Sequence, residues 1–173
     1  MIILFVRHAD AINDKLTKIG QMQCELLSQE PEQIKFSKIY SSPLERCVKT
    51  AEVFAKKFNL KIQIENNLRE REQLDGKLPK IKKEQIWYDN YLNLNYSSKV
   101  PEGCKEYLKR TKLALKKIVD NHFDKNENVI LVAHSVTSYA LAALIYGYEK
   151  DKDIKWLRVG NCSKIYFEIK DKV

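Results

Sequence analysis

Neither GxxxxGK[ST] nor GxGxxG occurs in this sequence, which removes the usual P-loop and dinucleotide readings. Glycine and proline are scarce, at 5 and 4 residues of 173, so collagen-like and linker-like chains are excluded. The four cysteines (Cys24, Cys47, Cys104, Cys162) lie far apart and form no CxxC pair. Without a secretory signal they read as reduced thiols, each expected to be a buried structural residue. Three histidines stand at positions 8, 122 and 134, with no HxxxH or HExxH spacing, so no dedicated metal site is expected. No apolar run approaches the roughly 18 residues that span a bilayer. The run Ile2–Val6 is too short for a signal-peptide core and has no basic segment before it. A soluble, cytoplasmic protein without a membrane partner is the expectation.

What is present suits a packed domain. The hydrophobic fraction is 44% and the charged fraction 31%, and the length fits one domain over residues 1–173. Two short runs, Ile2–Val6 and Val129–Ala133, are apolar at both parities, the pattern of strands covered on both faces. Residues 37–41 and 61–64 are further strand candidates. Ile165, Phe167 and Ile169 alternate with polar neighbours, as in a half-exposed edge strand. Helical spacing fills the gaps. Cys47, Ala51, Phe54 and Phe58 share one face, as do Leu108, Thr111, Leu115 and Ile118 in a helix starting near Glu102. Shorter helices are expected over 17–29 and 135–146, the latter closed by Gly147. Strands alternating with helices predict an α/β fold, a three-layer α/β/α sandwich around a mostly parallel sheet with an edge strand. Residues 66–100 fit neither period and read as an inserted, lid-like segment.

In such sheets ligands bind beyond the carboxyl ends of the strands. Arg7-His8 follows the first strand, Ser42-Pro43-Leu44-Glu45-Arg46 the second candidate, and His134 the strand ending at Ala133. Two histidines and two arginines therefore converge on one edge. Ser42-Pro43-Leu44-Glu45 has the grammar of a capping box, with Ser42 as the cap. That leaves Arg46 unexplained: a cation in the first turn opposes the helix dipole unless an anion is held beside it. His122, near Asn121 and Asp124, reads as a solvated charge at a helix end. Guanidinium forks and imidazoles around one point suit a tetrahedral dianion. A neutral histidine can attack phosphorus, and a carboxylic acid within Leu68-Arg69-Glu70-Arg71-Glu72 could protonate the leaving oxygen.

These residues are similar to the signatures of the histidine phosphatase superfamily, which includes the cofactor-dependent phosphoglycerate mutases. Arg7-His8-Ala9 resembles its RHG or RHA motif, and residues 16–23 resemble its LTxxGxxQ helix start. Residues 41–51 resemble its SSPLxRxxxTA block, Leu68-Arg69-Glu70-Arg71 its LxER segment, and residues 129–134 the strand before its second histidine. Asn161-Cys162-Ser163 resembles the turn before its final strand. The resemblance implies a phosphoglycerate mutase-like fold without cofactor, with His8 as phosphoryl acceptor and Glu70 as proton donor. It implies Arg7, Arg46 and His134 as the phosphate pocket.

Several positions depart from the pattern. Ser135 stands where glycine often follows the second histidine, and its hydroxyl or N–H could touch phosphate. The family's asparagine after the first histidine is matched by Asn13 or Asp14. Pro101-Glu102-Gly103-Cys104 resembles a PxGE segment with Cys104 in the acidic position, and Glu72 is the alternative acid. The implied activity is a metal-independent phosphomonoesterase acting on a small phosphorylated metabolite. The alternatives are mutase-type transfer, a phosphohistidine protein phosphatase, or a protein that binds a phosphorylated ligand without turnover. The net charge of +8 raises a nucleic-acid reading, carried by Lys80, Lys82 and Lys83 and by Lys109, Arg110, Lys112, Lys116 and Lys117. The second cluster falls on the outer face of an apolar-faced helix, so a solvated basic face is expected and no nucleic-acid partner.

Overall fold

The computed structural model describes residues 1–71, 102–147 and 159–172. The candidate lid therefore lies mostly outside the described residues, as do Glu72 and Lys80, Lys82 and Lys83. Five strands form one sheet: β1 (Ile2–Arg7), β4 (Phe36–Ser41), β5 (Ile62–Ile64), β6 (Asn128–Ala133) and β7 (Lys164–Glu168). Their order is β5-β4-β6-β1-β7, parallel throughout except for β7, which runs antiparallel to β1 at the edge. The continuous apolar runs occupy β1 and β6, two of the three interior strands, as expected of strands covered on both faces.

Alternation sorts the strand residues into two cores. Ile3, Phe5, Val129 and Leu131 pack with Ala114, Leu115, Ile118 and Val119 of α3 (Cys104–His122) and Leu141 of α4 (Ser135–Tyr146). Leu4, Val6, Ile130 and Val132 face the other way, onto Leu27 of α1 (Lys18–Gln29) and Cys47, Ala51 and Phe54 of α2 (Glu45–Phe58). Two helices on each face make the three-layer sandwich. Gly147 ends α4 in the left-handed conformation, at φ 68°. No helix among the described residues is long and apolar enough to cross a membrane.

Several details depart from the sequence reading. A two-stranded hairpin, β2 (Ala11–Ile12) and β3 (Lys15–Leu16), precedes α1. Its two turn residues, Asn13 and Asp14, both take positive φ (48° and 67°), which Asn and Asp tolerate in tight hairpin turns. His122 is buried, not solvated: its Nε2 lies 2.9 Å from the Tyr40 hydroxyl and its Nδ1 2.6 Å from Glu127 Oε2. Cys24, Cys47 and Cys104 are buried, whereas Cys162 is half-buried at φ 58°.

Gly20 explains how α1 docks under the loop after β1. Thr17 caps the helix through Gly20 N–H, and the Thr17 hydroxyl donates to Asp10 Oδ2 at 2.6 Å. This draws the backbones so close that a Cβ on Gly20 would stand 2.0 Å from the Asp10 carbonyl oxygen. Because that neighbour is backbone, Gly20→Ala is expected to destabilise by about 3 kcal/mol, as overpacking does. Thermal unfolding should then fall by roughly 6–12 °C. An unchanged melting temperature would show that the loop yields without cost.

Candidate active site

Three chain segments leave the sheet side by side at the carboxyl ends of β1, β4 and β6. The ladder extends one residue past the strands: His8 N–H donates to Ala133 O and Ser42 N–H to Val132 O, each at 3.0 Å. That register brings the His8 and His134 rings to 5.2 Å between centroids, edge to face at 63°. His8 Nδ1 lies 2.8 Å from the Ala9 carbonyl oxygen, which can only accept, so Nδ1 carries the proton. Nε2 keeps its lone pair and accepts from Arg46 Nε–H at 3.2 Å. Burial lowers the His8 pKa to about 4, and the charges of Arg46 and Arg7 push the same way. His8 is therefore a neutral imidazole at physiological pH.

His134 is fully buried at the N-terminus of α4. Its Nε2 sits 2.8 Å from Ser42 Oγ, and its Nδ1 lies 3.3 Å from both Arg46 Nη2 and Glu70 Oε2. Burial, followed by the Arg46 charge, holds it far below the ordinary histidine range and hence neutral. Glu70 follows the 3₁₀ turn Asn66–Leu68. Its Oε1 accepts from Arg71 N–H at 3.0 Å, and its Oε2 reaches Arg46 Nη2 at 3.9 Å. Burial raises the Glu70 pKa against the opposing pull of that N–H and of Arg46, Arg71 and Arg7. The protonated carboxyl, the form that donates, persists to higher pH than it would in water.

Arg46 touches every one of these groups. It lies in the first turn of α2, and the anion that position calls for is Asp14. Asp14 Oδ2 accepts from Glu45 N–H at 2.9 Å, and Oδ1 accepts from Arg46 Nη1 at 2.8 Å. The expected capping box does not form. Helix α2 begins at Glu45 with Leu44 as its cap residue and no side-chain cap; Ser42 Oγ lies 2.8 Å from His134 Nε2 and keeps only a long contact, at 3.4 Å, from Leu44 N–H. The carboxylate from the β2–β3 turn is the stronger partner for the helix N-terminus, which frees Ser42 for the imidazole. Of the pair Asn13-Asp14, it is Asp14 that reaches Arg46; Asn13 is exposed at the turn.

Arg7 ends β1 and donates through Nη1 to Val159 O at 2.5 Å. Among the described residues its buried Nε has no hydrogen-bond partner. Ser135 is half-buried at the first position of α4, beside His134.

Ligand atoms of His8, Glu70 and His134 lie within 4.8 Å of one another, which is geometrically enough for three metal ligands. Charge argues for a different guest. Arg46 contacts all three residues, and a divalent cation there would face its guanidinium, with the Arg7 charge, which acts on the same three groups, adding to the repulsion. A tetrahedral dianion would meet two guanidinium groups, the N-terminus of α4 and a protonatable carboxyl.

The histidine phosphatase superfamily (branch 1) matches residues 3–173 of this chain. Among solved structures the chain is similar to YhfR of Bacillus stearothermophilus, at 21% identity and a TM-score of 0.81, covering 99% of this chain and 92% of that one. It is also similar to the mycobacterial glucosyl-3-phosphoglycerate phosphatase, at 18% identity and a TM-score of 0.78, covering 95% and 88%. The alpha-ribazole phosphatase from Shigella flexneri follows, at 18% identity and a TM-score of 0.76, covering 99% and 92%. At these identities the likeness is one of fold. No curated relative matches the chain in sequence.

Proposed function

Because the chain belongs to the histidine phosphatase superfamily, we propose that it is a phosphatase that hydrolyses a small phosphorylated metabolite, without metal, through a phosphohistidine on His8. The observation that carries this reading is the fixed tautomer of His8: its Nδ1–H is tied to Ala9 O, and its Nε2 lone pair faces Arg46. In the first step Nε2 attacks phosphorus, the bond to the ester oxygen breaks, and Glu70 passes its proton to the departing alkoxide. Arg46, Arg7 and His134 hold the equatorial oxygens as charge shifts. In the second step Glu70, now ionised, takes a proton from water as it attacks the phosphohistidine, and inorganic phosphate leaves. The arriving dianion raises the Glu70 pKa further, so substrate binding itself favours the protonated acid. The names of the glucosyl-3-phosphoglycerate and alpha-ribazole phosphatases support hydrolysis over mutase-type transfer.

The test is a quenched burst with p-nitrophenyl phosphate in the presence of EDTA. Turnover should persist, and an acid-labile, base-stable phosphoprotein should accumulate during it. Loss of turnover to EDTA, with recovery on adding a divalent cation, would replace this reading by metal chemistry at His8, Glu70 and His134.

A further inference from the structure

The segment that carries Glu70 is held in place from α3, by a residue that the helix's basic pattern hides. Arg110 stands among lysines, yet its guanidinium turns inward and its side chain is only 15% exposed. Nη1 donates to Asn67 O at 2.6 Å and Nη2 to Glu70 O at 3.2 Å, so the fork grips the 67–70 segment at both ends. The fork is itself fixed. Nε and Nη2 donate to the two carboxylate oxygens of Glu102 at 2.6 and 2.7 Å, and the guanidinium stacks 4.3 Å above the Tyr107 ring. Tyr107 is buried, its hydroxyl lies 2.8 Å from Thr137 Oγ1, and Thr137 Oγ1 accepts from His134 N–H at 3.3 Å. One chain of contacts thus joins the backbone of the acid to the backbone of the second histidine.

We propose that Arg110 is a positioning residue for the acid, setting where the Glu70 carboxyl stands relative to His134 and Arg46. This rests on the phosphatase reading above. The physical need is plain: the acid must lie within hydrogen-bond reach of the ester oxygen when that bond breaks, and a displacement of about 1 Å costs on the order of 100-fold. Glu70 has no regular secondary structure of its own; buried Leu68 and buried Arg71, whose Nη1 lies 3.0 Å from Cys104 Sγ, flank it, and the two carbonyl contacts of Arg110 hold the backbone between them. A lysine would keep the positive charge near His134 but could not bridge two carbonyls and a carboxylate.

The experiment compares kcat/KM, which reports the first chemical step, for p-nitrophenyl phosphate and for an alkyl phosphate. The phenolate needs little help from an acid; the alkoxide depends on it. Arg110→Met and Arg110→Lys should each lower the alkyl phosphate value by roughly 30–100-fold, the scale of an ångström-sized misplacement. The p-nitrophenyl phosphate value should fall less than about 3-fold. Glu102→Gln, which loosens the fork, should move both values in the same sense by a smaller factor. In the Glu70→Gln background Arg110→Lys should cost nothing more, because the residue acts only through the acid.

Equal losses on both substrates would reduce Arg110 to a structural role, and rescue by lysine would make its role one of charge; either result overturns the proposal. Should Arg110→Met fail to fold, Arg110→Lys and Glu102→Gln carry the comparison. A folded wild type without phosphomonoesterase activity overturns the phosphatase reading and this inference with it, whereas an active wild type with unselective variants overturns the inference alone.

Discussion

His8→Ala is expected to abolish phosphohistidine formation and to lower turnover by about 10⁴-fold or more, as losing the nucleophile of a covalent mechanism does. The expectation rests on three features of the position. Nδ1 is committed to Ala9 O, so Nε2 is the atom left to attack. Burial keeps the pKa at about 4, so the imidazole is unprotonated throughout the neutral range. Arg46 Nε sits 3.2 Å from Nε2, where it can hand its hydrogen bond to a phosphate oxygen as substrate enters. The fold should survive the substitution, because the backbone bonds of His8 to Ala133 and of Ala9 to Thr50 Oγ1 do not involve the ring. The measurement is a rapid quench of both proteins with radiolabelled substrate, with circular dichroism as the control for folding. A folded variant that still forms an adduct would move the nucleophile elsewhere, and His134, 5.2 Å away between ring centroids, would be the next candidate.

What the sequence made legible was whatever depended on strand ends. A continuous apolar run marks a central strand, and the residue after it must emerge at the carboxyl edge. His8 and His134 could therefore be placed together from the strand pattern, and Arg46 with them from the segment that follows β4. Contacts made by one side chain across many residues were not legible. Asp14 reaches Arg46 because an unannounced hairpin lifts the Asn13-Asp14 turn over the N-terminus of α2. The local grammar of Ser42-Pro43-Leu44-Glu45 pointed to Ser42 as the cap, and a distant carboxylate displaced it.

Arg110 was misread for the opposite reason. The lysines around it share a truly exposed face, but Arg110 stands three residues after buried Tyr107 and one before buried Thr111, at the border of the apolar face. Glu102, eight residues back, was the available hint. His122 was misread in the same way: it stands four residues after buried Ile118 on the apolar face of α3, where Tyr40 lies against its ring. Gly20 follows from no local rule at all; only the packed Asp10 backbone requires it.

Arg46→Ala should have the second largest effect, and it should act on two observables at once. The rate should fall by about 10²–10³-fold, the cost of removing one preorganised donor set for developing charge. The second effect is on the histidines. Arg46 is the leading charge that depresses both imidazoles, so its removal raises the pKa of each. The His8 value should climb from about 4 but stay below the ordinary 6.5, because burial remains the larger cause. Titration of the His8 ring followed by NMR reads this directly, free of the substrate's own ionisation.

Asp14 loses its ion-pair partner in this variant, yet it keeps the Glu45 N–H and stays partly solvated, so the fold should tolerate the change. Arg46→Lys separates the two effects. The charge remains and should keep the histidine titration near its wild-type position, whereas the fork is lost and the rate should still fall. If lysine restores the rate, the residue serves only as a charge, and the bidentate grip on phosphate is wrong. If alanine leaves the His8 titration unmoved, burial alone sets the neutral state of the nucleophile, and the contact between Arg46 Nε and His8 Nε2 has no electrostatic consequence.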